Sequence, residues 1–361
     1  MNNLFQNVYK NKVVLVTGHT GFKGSWLCLW LREMGAKVIG YSLEPETTPN
    51  HFNLLDIDMV SVIGDILDKE KLIDTIKEYK PEIIFHLAAQ PIVNKSYIDP
   101  METFEVNIMG TVYMLECCRK FNFIKSFVNI TSDKCYENIE QDIGYKESDR
   151  LGGFDPYSAS KGCSEIVTSS YLRSFFNNKD NTSIASARAG NVIGGGDWAN
   201  FRLIPDIMKD SSKKNTVEIR SPKSTRPWQH VLEPLSGYLL LGSKLLLDRR
   251  EFIGSWNFGP NDSSNISVGN LIDKIKEYWE NISYKVSKNN GEFHEAKLLR
   301  LDCSKANNML NWHPVWDIDT TLEITVEWYK SFYINNEINS LADLKKYVNE
   351  AKNNKAIWTQ P

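Results

Sequence analysis

No run in this sequence approaches the roughly 18 consecutive apolar residues that a membrane-spanning helix needs, and the opening MNNLFQNVYKNK lacks the apolar centre of a signal peptide. Both absences predict a protein that stays in the cytoplasm. An excess of one charge is also missing: 42 Lys and Arg against 45 Asp and Glu leave a formal net charge of -3. That gives no basic surplus for nucleic acid or an anionic membrane surface, so a small molecule is the expected partner. The six cysteines form no CxxC pair, and the adjacent Cys117 and Cys118 face apart on any regular element. Buried free thiols follow. The six histidines show no HExxH or comparable ligand spacing, so no metal is predicted. Internal repeats and low-complexity tracts are absent as well.

What is present is a 42% hydrophobic, 24% charged chain of 361 residues, enough for one large or two modest cores. Short β-branched runs at 13–18, 37–43, 60–65, 82–89 and 126–132 alternate with helical patterns at 24–35, 67–80 and 102–121. This alternation implies right-handed crossovers and an α/β fold with a doubly wound parallel sheet, a Rossmann domain over 1–190. A polar loop ends at Asp155-Pro156, a helix is expected over 157–176, and a further strand over 183–196. From about 191 turns become denser, in GGGDW, SPKSTRPW and NFGPND. Residues 191–336 are read as a smaller α/β substrate domain with segments returning to the sheet, and 337–361 as a polar helical tail, a peripheral arm.

Two local constellations point to chemistry. In VTGHTGFKG, Gly18, Gly21 and Gly24 fall where a strand passes into a helix, so the backbone turns tightly and a dinucleotide pyrophosphate approaches the helix N-terminus. The spacing is GxxGxxG, one residue wider at the start than the common form. The second strand ends Gly40-Tyr41-Ser42 with neither an acid nor an arginine at the position that separates NAD from NADP. Asp65 fits an adenine contact and equally a helix N-cap. In YSASK, Tyr157 and Lys161 stand four apart and share a helix face. A cation beside a phenol favours the phenolate, which can take a proton from an alcohol as hydride leaves for a nicotinamide.

Taken together, VTGHTGFKG, HLAAQ, NITSDKCY, YSASK and RAGNVIGGGDW resemble the extended short-chain dehydrogenase/reductase superfamily, in particular its nucleotide-sugar 4,6-dehydratases, from about residue 10 to 330. The resemblance implies that Ser132 completes a triad with Tyr157 and Lys161, and that Asp133 protonates the departing C6 hydroxyl. Lys134 stands where most such enzymes carry the Glu that removes the C5 proton; the branch acting on CDP-glucose is similar to this sequence in having lysine. Neutral, Lys134 would be that base; charged, it would stabilise the enolate. The same resemblance implies NAD contacts, NADP not being excluded, from Phe22, Lys23, Ile66, Leu87, Ala88, Ala89 and Asn107 beside the glycines. It implies substrate contacts from Gln90, Asn191, Asp197, Trp198, Arg202, Arg226 and His230. A homodimer or homotetramer through the helices at 102–121 and 157–176 is implied too.

The rival enzymatic reading is a nucleotide-sugar 4-epimerase, which shares the triad but has no use for Asp133 and Lys134. A cofactor-binding scaffold without catalysis would have little reason to keep Ser132, Tyr157 and Lys161 together.

Overall fold

The computed structural model describes residues 1, 3–176, 182–219, 221–287 and 298–360. Seven strands form its main sheet: β1 (Val13–Thr17), β2 (Lys37–Ser42), β3 (Val60–Ile63), β4 (Ile83–His86), β5 (Ser126–Ile130), β6 (Ser183–Arg188) and β7 (Gly254–Asn257). Every pairing is parallel, in the order β7-β6-β5-β4-β1-β2-β3. The order reverses beside β1, where α/β sheets open a crevice at their carboxyl ends.

Alternate residues of each strand feed two different cores. Val14, Val16, Phe85 and Val128 pack with Trp26 and Trp30 of α1 (Phe22–Glu33) and with Leu235 and Leu239 of a later helix, Leu232–Leu246. Leu15, Ile84 and Phe127 point the other way, onto Leu72 and Ile76 of α2 (Lys69–Tyr79) and Met114 and Leu115 of α3 (Gly110–Lys120). Covered on both faces, β4, β5 and β6 are buried at every residue, which is why they read as unbroken runs rather than alternating ones. Each large aliphatic side chain so buried stabilises the fold by roughly 1.5–3 kcal/mol.

The expected helix over 102–121 is three pieces, Pro100–Phe104, one π turn Glu105–Met109, and α3. The expected 157–176 helix is α4 (Pro156–Phe175), capped by Asp155, whose Oδ1 accepts from the Ser158 N–H at 2.9 Å. Two expectations are corrected. The strand over 183–196 stops at Arg188, because Asn191 adopts a left-handed φ of 49° and turns the chain away; Val192–Ile193 then pairs with Gln229–His230. The cap of α2 is Asp68, which accepts from Lys71 N at 3.1 Å; Asp65 instead closes a tight turn onto Leu67 N at 2.9 Å, since the helix begins later than its pattern suggests.

A second cluster gathers residues of 191–333, with Ile204, Met208, Val217, Leu271, Ile275, Leu322, Val326 and Trp328 at its centre. The C-terminal stretch does not lie peripherally. Helix α5 is Leu232–Leu246, α6 is Val268–Tyr278, α7 is Ile318–Lys330, and α8, Ser340–Asn353, buries Leu344, Tyr347, Val348 and Ala351 in the main core, with Trp358 stacked on both Phe5 and Tyr347. Among the described residues no helix is long and apolar enough to cross a membrane.

Candidate active site

The glycine turn is fitted by close contact. Gly18 has a φ of 73°, and a Cβ there would fall 2.8 Å from the backbone nitrogen of Ala88; one on Gly24 would fall 2.1 Å from the carbonyl oxygen of Gly18. The turn therefore presses on Leu87 and Ala88 at the end of β4, where the Thr17 hydroxyl accepts from Ala88 N at 3.2 Å. Helix α1 begins on Gly21 with no side chain capping it, so its first N–H groups point outward, the arrangement that suits a pyrophosphate. A dinucleotide fits this cradle.

Strand β5 delivers the next group. Ser132 is extended and caps a single 3-10 turn, Asp133–Cys135: its Oγ accepts from Lys134 N at 3.2 Å and donates to Asp133 Oδ1 at 3.0 Å. Asp133 is 2% exposed, and among the described residues its Oδ2 has no hydrogen-bond partner. Lys134 is half-buried. Helix α4 brings Tyr157 and Lys161 alongside, both buried. The Ser132 hydroxyl is near enough to act on the Tyr157 phenol, and Lys161 Nζ reaches the Ile130 carbonyl at 3.4 Å.

Burial pushes the Tyr157 phenol up to about 12; the Ser132 hydroxyl opposes this, Asp133 and Asp155 add to it, and Arg202 works against it. Burial lowers the Lys161 ammonium to about 8 despite the carboxylate of Glu165. Lys23, projecting from α1, is lowered to about 8 by burial, with Arg202 and Lys161 acting in the same direction and Asp133 against. Its Nζ lies 5.9 Å over the ring of Tyr238. That tyrosine, on α5, is fully buried, and among the described residues its hydroxyl is unpartnered; burial, then Asp133 and Tyr157, push it upward. A hydroxyl, a carboxyl, two phenols and two amines thus converge where the sheet opens, a set able to move protons to and from an alcohol.

Behind the site lies a buried network that the sequence pattern did not single out. Glu165, one turn beyond Lys161, accepts from Thr131 Oγ1 at 2.5 Å, Ser186 Oγ at 2.7 Å and Arg188 Nη2 at 2.8 Å. Arg188 donates to the Tyr136 hydroxyl at 2.6 Å, which donates to Asn257 of β7 at 2.7 Å. Both ends of the Thr131–Tyr136 segment are thereby pinned. The spacing from Tyr157 through Lys161 to Glu165, one α4 face, was the only local signal.

The other expected contacts divide. Asp197 and Arg202 form an ion pair at 2.8 Å, and Arg202 is near enough to act on Tyr157 and Lys23. Asn191 is half-buried beside Gly190, and Arg226, also half-buried, lies on the short strand Thr225–Pro227. The side chains of the others are held by neighbours in the fold. Gln90 and Asn107 spend their side chains on each other's segment: Gln90 N donates to Asn107 Oδ1 at 2.9 Å, Asn107 Nδ2 donates to Ser160 Oγ at 2.8 Å, and Gln90 Nε2 donates to Thr103 Oγ1 at 2.8 Å. Ile66 is core, packed on Gly110. Trp198 meets Trp328, Tyr329 and Phe332 edge-on and donates to the Tyr333 hydroxyl at 3.0 Å. His230 is 0% exposed between Trp26 and Trp316, its Nδ1 accepting from Leu232 N at 3.3 Å, so it does not face the cleft.

Known proteins resemble this chain along most of its length. The GDP-mannose 4,6 dehydratase family matches residues 15–325. CDP-glucose 4,6-dehydratase of Salmonella typhimurium is 50% identical over 333 residues, 91% of this chain and 93% of that one. Among solved structures, an epimerase from Methanothermobacter thermautotrophicus superposes with a TM-score of 0.80 at 26% identity, covering 91% of this chain and 94% of the other. The dTDP-glucose 4,6-dehydratase from Bacillus anthracis, in complex with NAD, gives 0.72 at 21% identity, covering 89% and 97%.

Proposed function

Because this chain belongs to the GDP-mannose 4,6 dehydratase family, we propose that it is a nucleotide-sugar 4,6-dehydratase acting on CDP-glucose, a hydro-lyase that yields CDP-4-keto-6-deoxyglucose and water. The observation that carries the reading is the placement of Asp133 and Lys134 beside Ser132, Tyr157 and Lys161, on a chain 50% identical along nearly its whole length to the Salmonella CDP-glucose enzyme.

The cofactor is NAD, which when bound supplies a hydride acceptor at C4 and gives the same hydride back at C6. Gly18, Gly21, Phe22, Lys23 and Gly24 would hold its pyrophosphate, and Leu87, Ala88 and Ala89 would contact it from the end of β4. Tyr157 takes the proton from the C4 hydroxyl; Ser132 orients that hydroxyl, and Lys161 favours the phenolate. The ketone so formed acidifies C5–H, and elimination across C5 and C6 then requires an acid at O6 and a base at C5. Asp133 is the acid. Lys134 takes the C5 proton when neutral and offsets enolate charge when protonated. Arg226 suits the diphosphate through paired hydrogen bonds, Asn191 is a further contact to the diphosphate and sugar, and Arg202 is a contact to the base or ribose.

We place the enzyme in the cytoplasm, where nucleotide sugars are made, and as a homodimer or homotetramer through α3 and α4. The test is incubation of the purified protein with NAD and CDP-, dTDP-, UDP- or GDP-glucose, followed by mass spectrometry. Water lost from CDP-glucose alone supports the reading; C4 inversion without water loss replaces it with an epimerase.

A further inference from the structure

We propose that His51 is a positioning residue for the cofactor: held in one tautomer, it carries a directed chain of hydrogen bonds from the C-terminal helices to the opening peptide of α1, where the pyrophosphate of NAD binds. The inference rests on the glycine turn being the NAD site, as read above, and adds to it a device that aims the donors of that turn.

Four contacts make the chain. Trp328 Nε1 of α7 donates to the Oγ of Ser340, the first residue of α8, at 2.9 Å, and that Oγ lies 2.8 Å from His51 Nε2. His51 Nδ1 lies 2.7 Å from Ser25 Oγ of α1, which donates to the Phe22 carbonyl at 2.9 Å. His51 itself opens the short helix His51–Leu55, so the linked side chains come from separate elements far apart in sequence. Ser25, His51, Trp328 and Ser340 are all buried, and their polar atoms depend on one another for partners.

The direction of the chain follows from what each group can do. An indole N–H only donates, and a hydroxyl has one proton to give. If Ser340 gives its proton to Nε2, His51 carries hydrogen on Nδ1 and donates to Ser25, and Ser25 keeps its own proton for the Phe22 carbonyl. Every contact is then a hydrogen bond. In the other tautomer Nε2 donates to Ser340 and Nδ1 takes the Ser25 proton, so the Phe22 carbonyl loses its donor. The network therefore assigns the Nδ1–H form. Burial lowers the imidazolium to about 3, which keeps the ring neutral.

The Phe22 carbonyl belongs to the same planar peptide unit as the N–H of Lys23, one of the donors at the uncapped start of α1. A side-chain hydrogen bond on that carbonyl fixes the tilt of the unit and polarises its N–H toward an anion. The imidazole has little room to shift. A Cβ on Gly196 would fall 2.4 Å from its Cδ2, and the rings of Trp26 and Trp328 lie 4.9 and 5.9 Å away. Gly196 belongs to the GGGDW loop, so the ring is packed against α1 on one hand and the segment leading to Asp197 and Arg202 on the other.

The test uses the full chain freed of bound nucleotide. Proton–nitrogen NMR of protein carrying isotopically labelled histidine reads the tautomer directly, with His51→Phe identifying the His51 signals. Hydrogen on Nδ1 is expected; hydrogen on Nε2 would overturn the proposal. Calorimetry then compares NAD, ADP and adenosine. Ser25→Ala, which cuts the last link, is expected to weaken NAD and ADP about fivefold, the effect of one hydrogen bond, and to leave adenosine, which has no phosphate, unchanged. NAD affinity equal to that of the wild type, or an equal loss for adenosine, overturns the positioning role, because a residue that only supports the fold does not distinguish the pyrophosphate. Should Ser25→Ala not fold, the tautomer in the wild type decides alone. Failure of the parent reading looks different, with wild-type protein that binds neither NAD nor ADP.

Discussion

Gly190 and Asp133 compete for one volume: a Cβ on Gly190 would lie 1.8 Å from Oδ2 of Asp133. Gly190 is not among the glycines with positive φ, so alanine is conformationally permitted there and the nearest atoms it must displace are those of the carboxyl. Gly190→Ala is therefore expected to fold while losing dehydration by roughly 100-fold, the typical effect of shifting a catalytic group by about an ångström. Product formation and far-ultraviolet circular dichroism measured on one preparation check both halves. Equal loss of both would show that the residue serves folding alone.

Lys161 sets function against stability. Burial lowers its ammonium from 10.5 to about 8, a displacement equivalent to about 3 kcal/mol. The folded state sheds this proton before the unfolded state does, so stability rises with pH between the two values, and the full penalty is present below pH 8. Lys161→Met should abolish turnover yet raise the melting temperature at pH 7, with the gain shrinking as pH approaches 10.5. Melting curves across that window give the answer, and a gain that grows with pH contradicts the argument.

Glu165 and Arg188 are buried together, their side chains 1% and 2% exposed. Burial alone would raise the Glu165 carboxyl, but Arg188 and the donors from Thr131 and Ser186 outweigh it and hold it below its ordinary value. Removing one charge strands the other in a buried site, so Glu165→Gln should cost about 3–5 kcal/mol in urea unfolding. The paired change Glu165→Gln with Arg188→Met should recover part of that loss. A single variant as stable as the wild type would exclude a charged pair.

His230 offers a test of the opposite kind. Buried between two tryptophans, it should tolerate replacement by glutamine with the KM for the nucleotide sugar unchanged and stability lowered by roughly 1–3 kcal/mol, the cost of disturbing a buried hydrogen bond. A large rise in KM without loss of stability would return it to the substrate.

What the sequence disclosed was local. The glycine turn, Ser132-Asp133-Lys134 and Tyr157 with Lys161 each lie within a few residues at a strand end or along one helix face, where spacing alone fixes geometry. The burial of His230 was not legible because it is set by distant partners, Trp26 and Trp316, which enclose it. Tyr238 went unnoticed for the same reason, since a tyrosine in an apolar helix reads as core until Lys23 and Asp133 are seen beside it. The C-terminal helix looked peripheral because Lys and Asn dominate its composition, while its buried residues Leu344, Tyr347, Val348 and Ala351 occupy one stripe.

Strand β7 comes late in the chain, and its Asn257 answers the hydroxyl of Tyr136. During synthesis on a ribosome, β6 therefore emerges long before its outer neighbour and waits as an open sheet edge, with the loop that carries Ser132 and Asp133 still untied. Assembly of the catalytic centre is consequently a late event in the life of the nascent chain, and a product terminated near residue 190 would expose that edge to aggregation rather than yield half an enzyme.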